Sequence, residues 1–569
     1  MDFSREWRRG LEAVRIPTRC VDIELADPLG DVVAPGYRSV HALVRLHGEP
    51  VGVVSAPLIE GRCSASTISA SIVERLAPSI VRAAVRQAIE APLDALPLEP
   101  ERLARPPAAG HGPLTGVTVA VCTRGRPDTL PRCLDAIRRL DHPGVEVIVV
   151  DNSPCRGIVE KIVRAREGVR YLHEPGCGLD RARNRAIVAS TREIVAFTDD
   201  DVLVDPGWTR AIASVLDASP EVHAVTGLVM PLELETEAQV LFEHYRGFGR
   251  GFERRWCEDP IPGPHAIALR HGNTGRLGTG ANMAFRRSVL ATIGGFDPAL
   301  DLGTVTNGGG DLDMFFRVIK AGGTLVYEPR ALVRHQHRRE LPELREQLGD
   351  WGTAMRSYVE RNRLIYPEER MQFAVLVHWL LGTWHLRRLL RSLVDRDLSA
   401  RLVLAEMGGL FRGRDCYGRA RVIAEDAARS FGASVPPPRA ARRSIHKHDR
   451  SPRELIEHLV DLAVPLASFT HAGDASGVQL GITFAGRAVT TTAFAHRGRT
   501  VSTTRLRDVI ARSAGRAVAG LPSGVRFTGE ADRQLAARVV AALQSHAEFS
   551  RRRVERFRAG RHSRPGARR

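Results

Sequence analysis

Asp199, Asp200 and Asp201 stand in a row at the end of the apolar run Ile194-Val195-Ala196-Phe197-Thr198. Adjacent carboxylates repel one another where water is partly excluded, and a divalent cation relieves that repulsion. Hard oxygen ligands suit Mg²⁺ or Mn²⁺, with Asp201 as the first candidate ligand. The competing reading is an acidic helix start, because Pro206 and Trp208 follow. Downstream, His335 and His337 alternate and so share one face of an extended segment. Their imidazoles could complete a metal shell beside Asp201, or they could form a solvated edge.

The elements that must position these groups are strands alternating with helices. Val117 to Val121 predicts a strand that ends in the polar turn Thr123-Arg124-Gly125-Arg126-Pro127. Leu130, Cys133, Leu134, Ile137 and Leu140 recur at helical spacing, and Val145 to Val150 predicts a second strand closed by Asp151-Asn152-Ser153. A helix, a short strand at Val169 to Leu172 and a helix carrying Arg181, Arg183 and Asn184 lead into the acidic strand. This alternation implies a mostly parallel α/β sheet with helices on both faces. Thr123, Asp151 and Asp199 to Asp201 then fall at the carboxyl ends of strands, where such a sheet binds a nucleotide. Neither a Gly-x-Gly-x-x-Gly fingerprint nor a P-loop follows the first strand, which disfavours a dehydrogenase or a P-loop nucleoside triphosphatase.

At 569 residues the chain exceeds one core, so two to four domains are expected. Hydrophobic residues at 43% and charged residues at 26% are those of a soluble globular protein. The eight cysteines are scattered without a Cys-x-x-Cys pair, which fits a reducing compartment and argues against a disulfide scaffold or a zinc site. The first residues carry no apolar signal region, and the apolar segment Phe373 to Leu386 is too short for a span, so it predicts a buried or an interfacial helix. Net charge is +17, with much of the surplus in the tail from Arg551 to Arg569, which suits anionic lipid, nucleic acid or mere solubility.

Two flanking stretches echo each other. Ala42 to Leu46 and Val51 to Val54 predict a hairpin, and Ser64 or Ser66 then caps a helix through Ile72, Leu76, Ile80 and Ala84. Leu480 to Phe484 and Val489 to Phe494 predict another hairpin, with Ser502 to Thr504 capping a helix through Leu506 and Ile510. They read either as a duplicated α+β module or as two unrelated hairpin–helix segments. The expected division is an α+β module at 1–113, an α/β domain at 114–345, a helical extension at 346–435, a basic linker at 436–450, a second α+β module at 451–548 and a basic tail at 549–569.

Between Gly116 and Arg338 the chain resembles family 2 glycosyltransferases of the GT-A fold. The ordered segments are Cys122-Thr123-Arg124, Val150-Asp151-Asn152-Ser153, Gly178-Leu179-Asp180-Arg181-Ala182-Arg183-Asn184 (the family has Gly-Leu-Ser-x-Ala-Arg-Asn), Thr198 to Asp201, Gly278 to Phe285, Gly294 to Asp297, Gly309 to Asp313 and His335 to Arg338. The resemblance implies a sugar moved from a nucleotide-diphosphate sugar to an acceptor hydroxyl with a divalent metal. Thr123 would meet the base or ribose, Asp151 would contact the nucleoside or cap a turn, and Asp199 would lie close to the ribose or the metal. Asp200 would line the donor site or face solvent. Arg183 would pair with diphosphate or lie on the surface, and the segment containing Asn282 would face the donor sugar. Asp201 with His335 or His337 would hold the metal.

Asp311 matches the catalytic carboxylate of the family, although the usual Glu-Asp is Gly310-Asp311 here. Asp313 is the fallback base or a first-turn helix acid. A single base opposite the leaving group implies inversion. Gln347-Leu348-Gly349-Asp350-Trp351 resembles the Gln-x-x-Arg-Trp motif of processive synthases with Asp in place of Arg, so non-processive transfer is expected. The acceptor would be a glycan, a lipid-linked or a small molecule, within cell-envelope polysaccharide synthesis. A cytoplasmic protein without a specific nucleic-acid partner follows, with the basic tail offering peripheral contact to the inner face of the membrane. The rivals are another nucleotide-sugar enzyme, such as a nucleotidyltransferase, and a catalytically inactive binding or scaffold protein.

Overall fold

The structure is a computed structural model that describes residues 10–107, 114–154, 157–245, 247–257, 272–393, 399–431, 455–471, 477–496, 499–521 and 530–562. The basic linker, residues 258–271 and the end of the tail lie outside the described residues. The chain forms two compact units, one from its two ends and one from its middle.

At the amino end, β1 (Thr18–Glu24) runs parallel to β2 (Ser39–Leu46), which forms a hairpin with β3 (Glu49–Pro57). His47 and Gly48 both take positive φ at the turn, the geometry that matches hairpin twist. The helix α1 (Ala65–Ala88) follows, with the Ser64 hydroxyl accepting from the Thr67 N–H as expected.

The middle unit carries a nine-stranded sheet. In chain order its elements are β4 (Val117–Thr123), α2 (Leu130–Ile137), β5 (Glu146–Asp151), β6 (Val169–His173), α3 (Leu179–Ala189), β7 (Ile194–Asp199), β8 (Val202–Val204), α4 (Trp208–Ala218), β9 (Val222–Pro231), α5 (Glu237–Tyr245), β10 (Arg255–Cys257), β11 (Asn282–Arg286), α6 (Gly310–Lys320) and β12 (Thr324–His335). The spatial order is β8-β12-β9-β11-β7-β4-β5-β6, with β10 on β12. β4, β5, β6 and β7 pair in parallel, as do β9 and β12, while β11 is inserted antiparallel between the two groups. β4 has β5 on one side and β7 on the other, so the connections reverse direction at β4. That crevice is the switch point at which open α/β sheets bind ligands. The register sets Cys122 beside Asp199 and Thr123 beside Asp151. Apolar clusters cover both faces, one around Trp208 and one around Phe197, Phe285 and Phe315.

The helical extension belongs to this unit. It comprises α7 (Leu341–Ile365), α8 (Arg370–Trp379), a π-helical turn at Leu380–His385, α9 (Leu386–Arg391), α10 (Ala400–Arg412) and α11 (Cys416–Phe431).

The carboxyl end repeats the amino end. β13 (Leu455–Asp461) is parallel to β14 (Gly477–Phe484), β15 (Arg487–Ala495) follows in the sheet order, and Ala485 and Gly486 again take positive φ at the turn between β14 and β15. Ser502 caps α12 (Thr503–Ser513), and α13 (Glu530–His562) continues helically into the basic tail. The expectation of two separate flanking modules is therefore corrected. Ile72, Leu76 and Ile80 of α1 share one core with Leu506, Ile510, Val539 and Leu543. The Leu93 N–H donates to Leu462 O at 2.8 Å, and the Gln544 amide donates to Leu25 O and Asp27 O at 2.9 Å each. Each hairpin–helix module leaves one helix face bare, and the other module covers it.

Candidate active site

A cavity of about 670 Å³ opens at the carboxyl ends of β4 and β7 and is walled by the start of α6 and by α7. Thr123, Arg183, Asp199, Asp200, Asp201, Asp311 and His335 all line it. Asp151, Asn282 and His337 do not.

The acidic strand end is not an exposed helix start. Asp200 is buried, accepts from the Thr123 hydroxyl at 2.5 Å and lies 3.3 Å from Arg126, so it is not a solvent-facing neighbour. The Thr123 hydroxyl is thereby committed to Asp200. Arg126 also pairs with Asp201 Oδ2 at 2.7 Å. Burial, with the neighbouring Asp201, pushes Asp200 up to about 6 against the pull of Arg126. Burial also raises Asp199 to about 7, with Arg183 opposing and Asp201 and Asp200 adding to it. Asp201 goes the other way: burial disfavours its charge, but His335, Arg126 and Arg338 together hold it below the usual carboxylate value. Three neighbouring carboxyls thus divide into one firmly ionised group and two reluctant ones.

Asp201 Oδ1 is buried without a hydrogen-bond partner and lies 3.5 Å from His335 Nε2. Burial lowers the His335 pKa to about 4, so the ring is neutral and able to ligate. Among the described residues no group of three or more His, Cys, Asp or Glu could hold a metal by itself. A divalent ion bound by one carboxylate, one imidazole and substrate phosphate oxygens needs no such group, and the orphaned Asp201 oxygen fits that arrangement. His337 does not join it. Its Nε2 sits 2.6 Å from Glu243 and its Nδ1 3.1 Å from His335 Nδ1, so it orients its neighbour from behind. Phe242 and Phe248 pack against the two rings, and Trp351 packs on both phenylalanines.

Arg183 is buried in the cavity wall and not on the surface. It pairs with Asp180 at 3.0 Å, lies 3.8 Å from Asp199 and donates to Gly280 O at 3.4 Å. The Gly280 N–H in turn donates to Asp311 Oδ2 at 2.8 Å, and the Leu312 N–H holds Asp311 Oδ1 at 2.8 Å. One chain of contacts thus runs from Asp311 through Gly280 and Arg183 to Asp199. Asp313 is excluded from the chemistry. It is wholly buried, 2.7 Å from Arg317 and 2.6 Å from Arg361, and serves the fold.

Two further expectations are corrected. The Asn282 side chain is fully used inside the sheet, donating to Leu228 O and Ala331 O and accepting from the Trp208 indole at 2.9 Å. Asp151 is buried and accepts from the Ser153 N–H and the Tyr171 hydroxyl at 3.0 Å each, which is the turn-cap alternative. Its neighbour Asn152 faces the cavity instead.

Sequence reasoning missed Arg126, Glu243 and Asp301. Arg126 sits in the polar turn already singled out after β4. Asp301 accepts from the Asp180 and Arg181 N–H groups at the start of α3, and a Cβ on Gly178 (φ +133°) would lie 2.0 Å from its carboxylate. Asp180 stands where the family has Ser, and Gly310 where it has Glu. A Cβ on Gly310 would lie 1.7 Å from Asp180 Oδ2, so the two departures fit each other.

Residues 118–294 match Glycosyl transferase family 2. The motifs at those strand ends are the ones gathered in the cavity. The middle of this chain belongs to that family. Its curated relatives include the pre-mycofactocin glycosyltransferase of Mycobacterium tuberculosis, 30% identical over 227 residues that make up 40% of this chain and 43% of that protein. The succinoglycan biosynthesis protein ExoM of Rhizobium meliloti is 27% identical over 225 residues, 38% of this chain and 65% of that protein. The chain thus spans less than two thirds of the length of these relatives. Among solved structures, a mannosyltransferase of Pyrobaculum calidifontis in complex with GDP-Man and Mn²⁺ aligns over 63% of this chain and 86% of its own at 18% identity, with a TM-score of 0.30.

Proposed function

We propose that this family 2 domain moves a sugar from a nucleotide-diphosphate sugar to an acceptor hydroxyl, with inversion and without processive elongation. The observation that carries the reading is that Asp201, with an orphaned oxygen facing a neutral His335, shares one cavity with Asp311. Asp201 and His335 would hold a divalent ion, Mg²⁺ or Mn²⁺. When bound, that ion supplies charge stabilisation for the departing diphosphate. Asp311 accepts the proton of the acceptor hydroxyl as that oxygen attacks the anomeric carbon, and two backbone N–H groups fix its orientation. A single base placed opposite the leaving group inverts the anomeric centre. Arg183 holds Asp199 at the donor side of the cavity while tying it, through Gly280, to the base. Trp351 and Asp350 of α7 close the cavity where a processive synthase would carry its Arg-Trp pair. No helix among the described residues is long and apolar enough to cross a membrane, which also favours a non-processive reading.

The test is release of nucleoside diphosphate from a panel of nucleotide sugars, with and without chelator. Release that stops with chelator and returns with Mn²⁺ is expected. An inactive scaffold would release none, and a nucleotidyltransferase would release pyrophosphate in its place.

A further inference from the structure

The helix that runs from α8 through the π turn into α9 has two unlike faces. Phe373, Leu376 and Leu380 are buried against Phe316, Tyr358 and Tyr366, which fixes the helix on the unit. On the outer face, Met371, Val375, Leu386, Leu390 and Leu393 are 76, 37, 46, 58 and 77% exposed. His378 and Gly382 are exposed between them. Steps of three or four residues put all seven positions on one line along the helix. The π-helical turn at Leu380–His385 is wider than an α turn and takes up the drift that consecutive steps of four would otherwise produce. From residue 370 to 393 the sequence contains no Asp or Glu, while Arg370, Arg387 and Arg391 are exposed. Trp379 and Trp384 stack at 5.5 Å beside the ridge, half-buried.

An apolar ridge of this length is costly to leave in water. Three arginines flank it, and the one exposed carboxylate at its amino end, Glu368, is already paired with Lys320 at 3.1 Å. We propose that it docks on an anionic lipid surface, lying flat with its leucines at the acyl boundary and its arginines among the headgroups. It lies on the surface and does not cross it, because the opposite face is already buried in protein. A second copy of the chain is a poorer occupant. Two identical ridges laid together would set three arginines against three arginines, and the nearest exposed carboxylate, Glu368, is already taken by Lys320.

The test uses the full chain and sedimentation with vesicles, either pure phosphatidylcholine or phosphatidylcholine with phosphatidylglycerol. The variants are L386E/L390E and, independently, M371E/L393E, all at exposed positions. Wild type should bind the anionic vesicles and bind more weakly in high salt. Each variant should partition at least about tenfold less, since two buried leucine-sized side chains contribute more than that. Each should keep the wild-type melting temperature, and a variant that unfolds early is judged by the other pair. Wild type that ignores anionic vesicles, or variants that bind them as wild type does, would overturn the proposal. So would a wild-type dimer in light scattering that both variants split, because the ridge would then be a self-interface.

Discussion

Asp311 and Asp313 are two residues apart, and replacing each by Asn should break different things. Asp313 is fully buried, 2.7 Å from Arg317 and 2.6 Å from Arg361, and both guanidiniums are at most 2% exposed. Asn keeps the volume and removes the charge, leaving two buried cations short of their counter-ion. Breaking a buried pair in this way costs about 3–5 kcal/mol. For a unit of this size, each kcal/mol lowers the melting temperature by about 2–4 °C, so Asp313→Asn should lose roughly 6–20 °C. Asp311 lies at the cavity, and its amide replacement gives up at most about one backbone hydrogen bond, worth about 1 kcal/mol. Its melting temperature should therefore stay within about 4 °C of wild type. Turnover of Asp311→Asn should fall by about 10²–10⁴-fold, equivalent to about 3–5.5 kcal/mol of barrier, with nucleoside diphosphate binding preserved. Differential scanning fluorimetry, nucleoside diphosphate release and calorimetric titration with UDP and GDP would separate the two. A stable but inactive Asp313→Asn together with an active Asp311→Asn would refute the reasoning, because the base would then have been placed two positions too early.

Asp201→Asn should weaken Mn²⁺ binding and donor binding together and nearly abolish turnover; undiminished activity of that variant in chelator would remove the metal role. Gly310→Ala should destabilise the middle unit by about 1–3 kcal/mol because its Cβ meets the Asp180 carboxylate, and adding Asp180→Ser should relieve most of that loss in a thermal melt. Burial lifts the Asp301 pKa to about 7 against its backbone donors, above the ordinary value of 3.8. Its contribution is therefore fully present below about 4 and lost as pH rises through 7, so the melting-temperature gap between wild type and Asp301→Asn should be wider at about pH 5 than at about pH 8. Ending the chain before Glu530 should unfold the amino-terminal module, whereas ending it after Ser550 should not, as limited proteolysis of residues 10–107 would report.

The strands that carry the site were legible because each is a short β-branched run closed by polar residues. Val117–Thr123, Glu146–Asp151 and Ile194–Asp199 fall within a residue or two of the expected bounds. The direction of a side chain at the end of a strand was less legible. Asn282 and Asp151 lie on the expected elements, yet partners distant in sequence, the Trp208 indole and the Tyr171 hydroxyl, draw them into the sheet. His335 and His337 share a face by periodicity, but Glu243, from a helix almost a hundred residues earlier, decides which of them meets Asp201. Pairing of the chain ends was invisible for a related reason. Two amphipathic helices reveal that each needs a cover, and nothing in either pattern names the other.

That pairing has a consequence for the birth of the protein. The amino-terminal module leaves the ribosome before the middle unit, but the helix that completes its cover, Glu530–His562, ends well over four hundred residues after Ala88. At translation speeds of about 5–20 residues per second, its apolar helix face stays uncovered for roughly 20–90 s. The intervening unit can fold meanwhile around its own cores. Until that helix has been made, the amino-terminal module is therefore a natural client for chaperones, and products truncated before it should be cleared quickly by proteases.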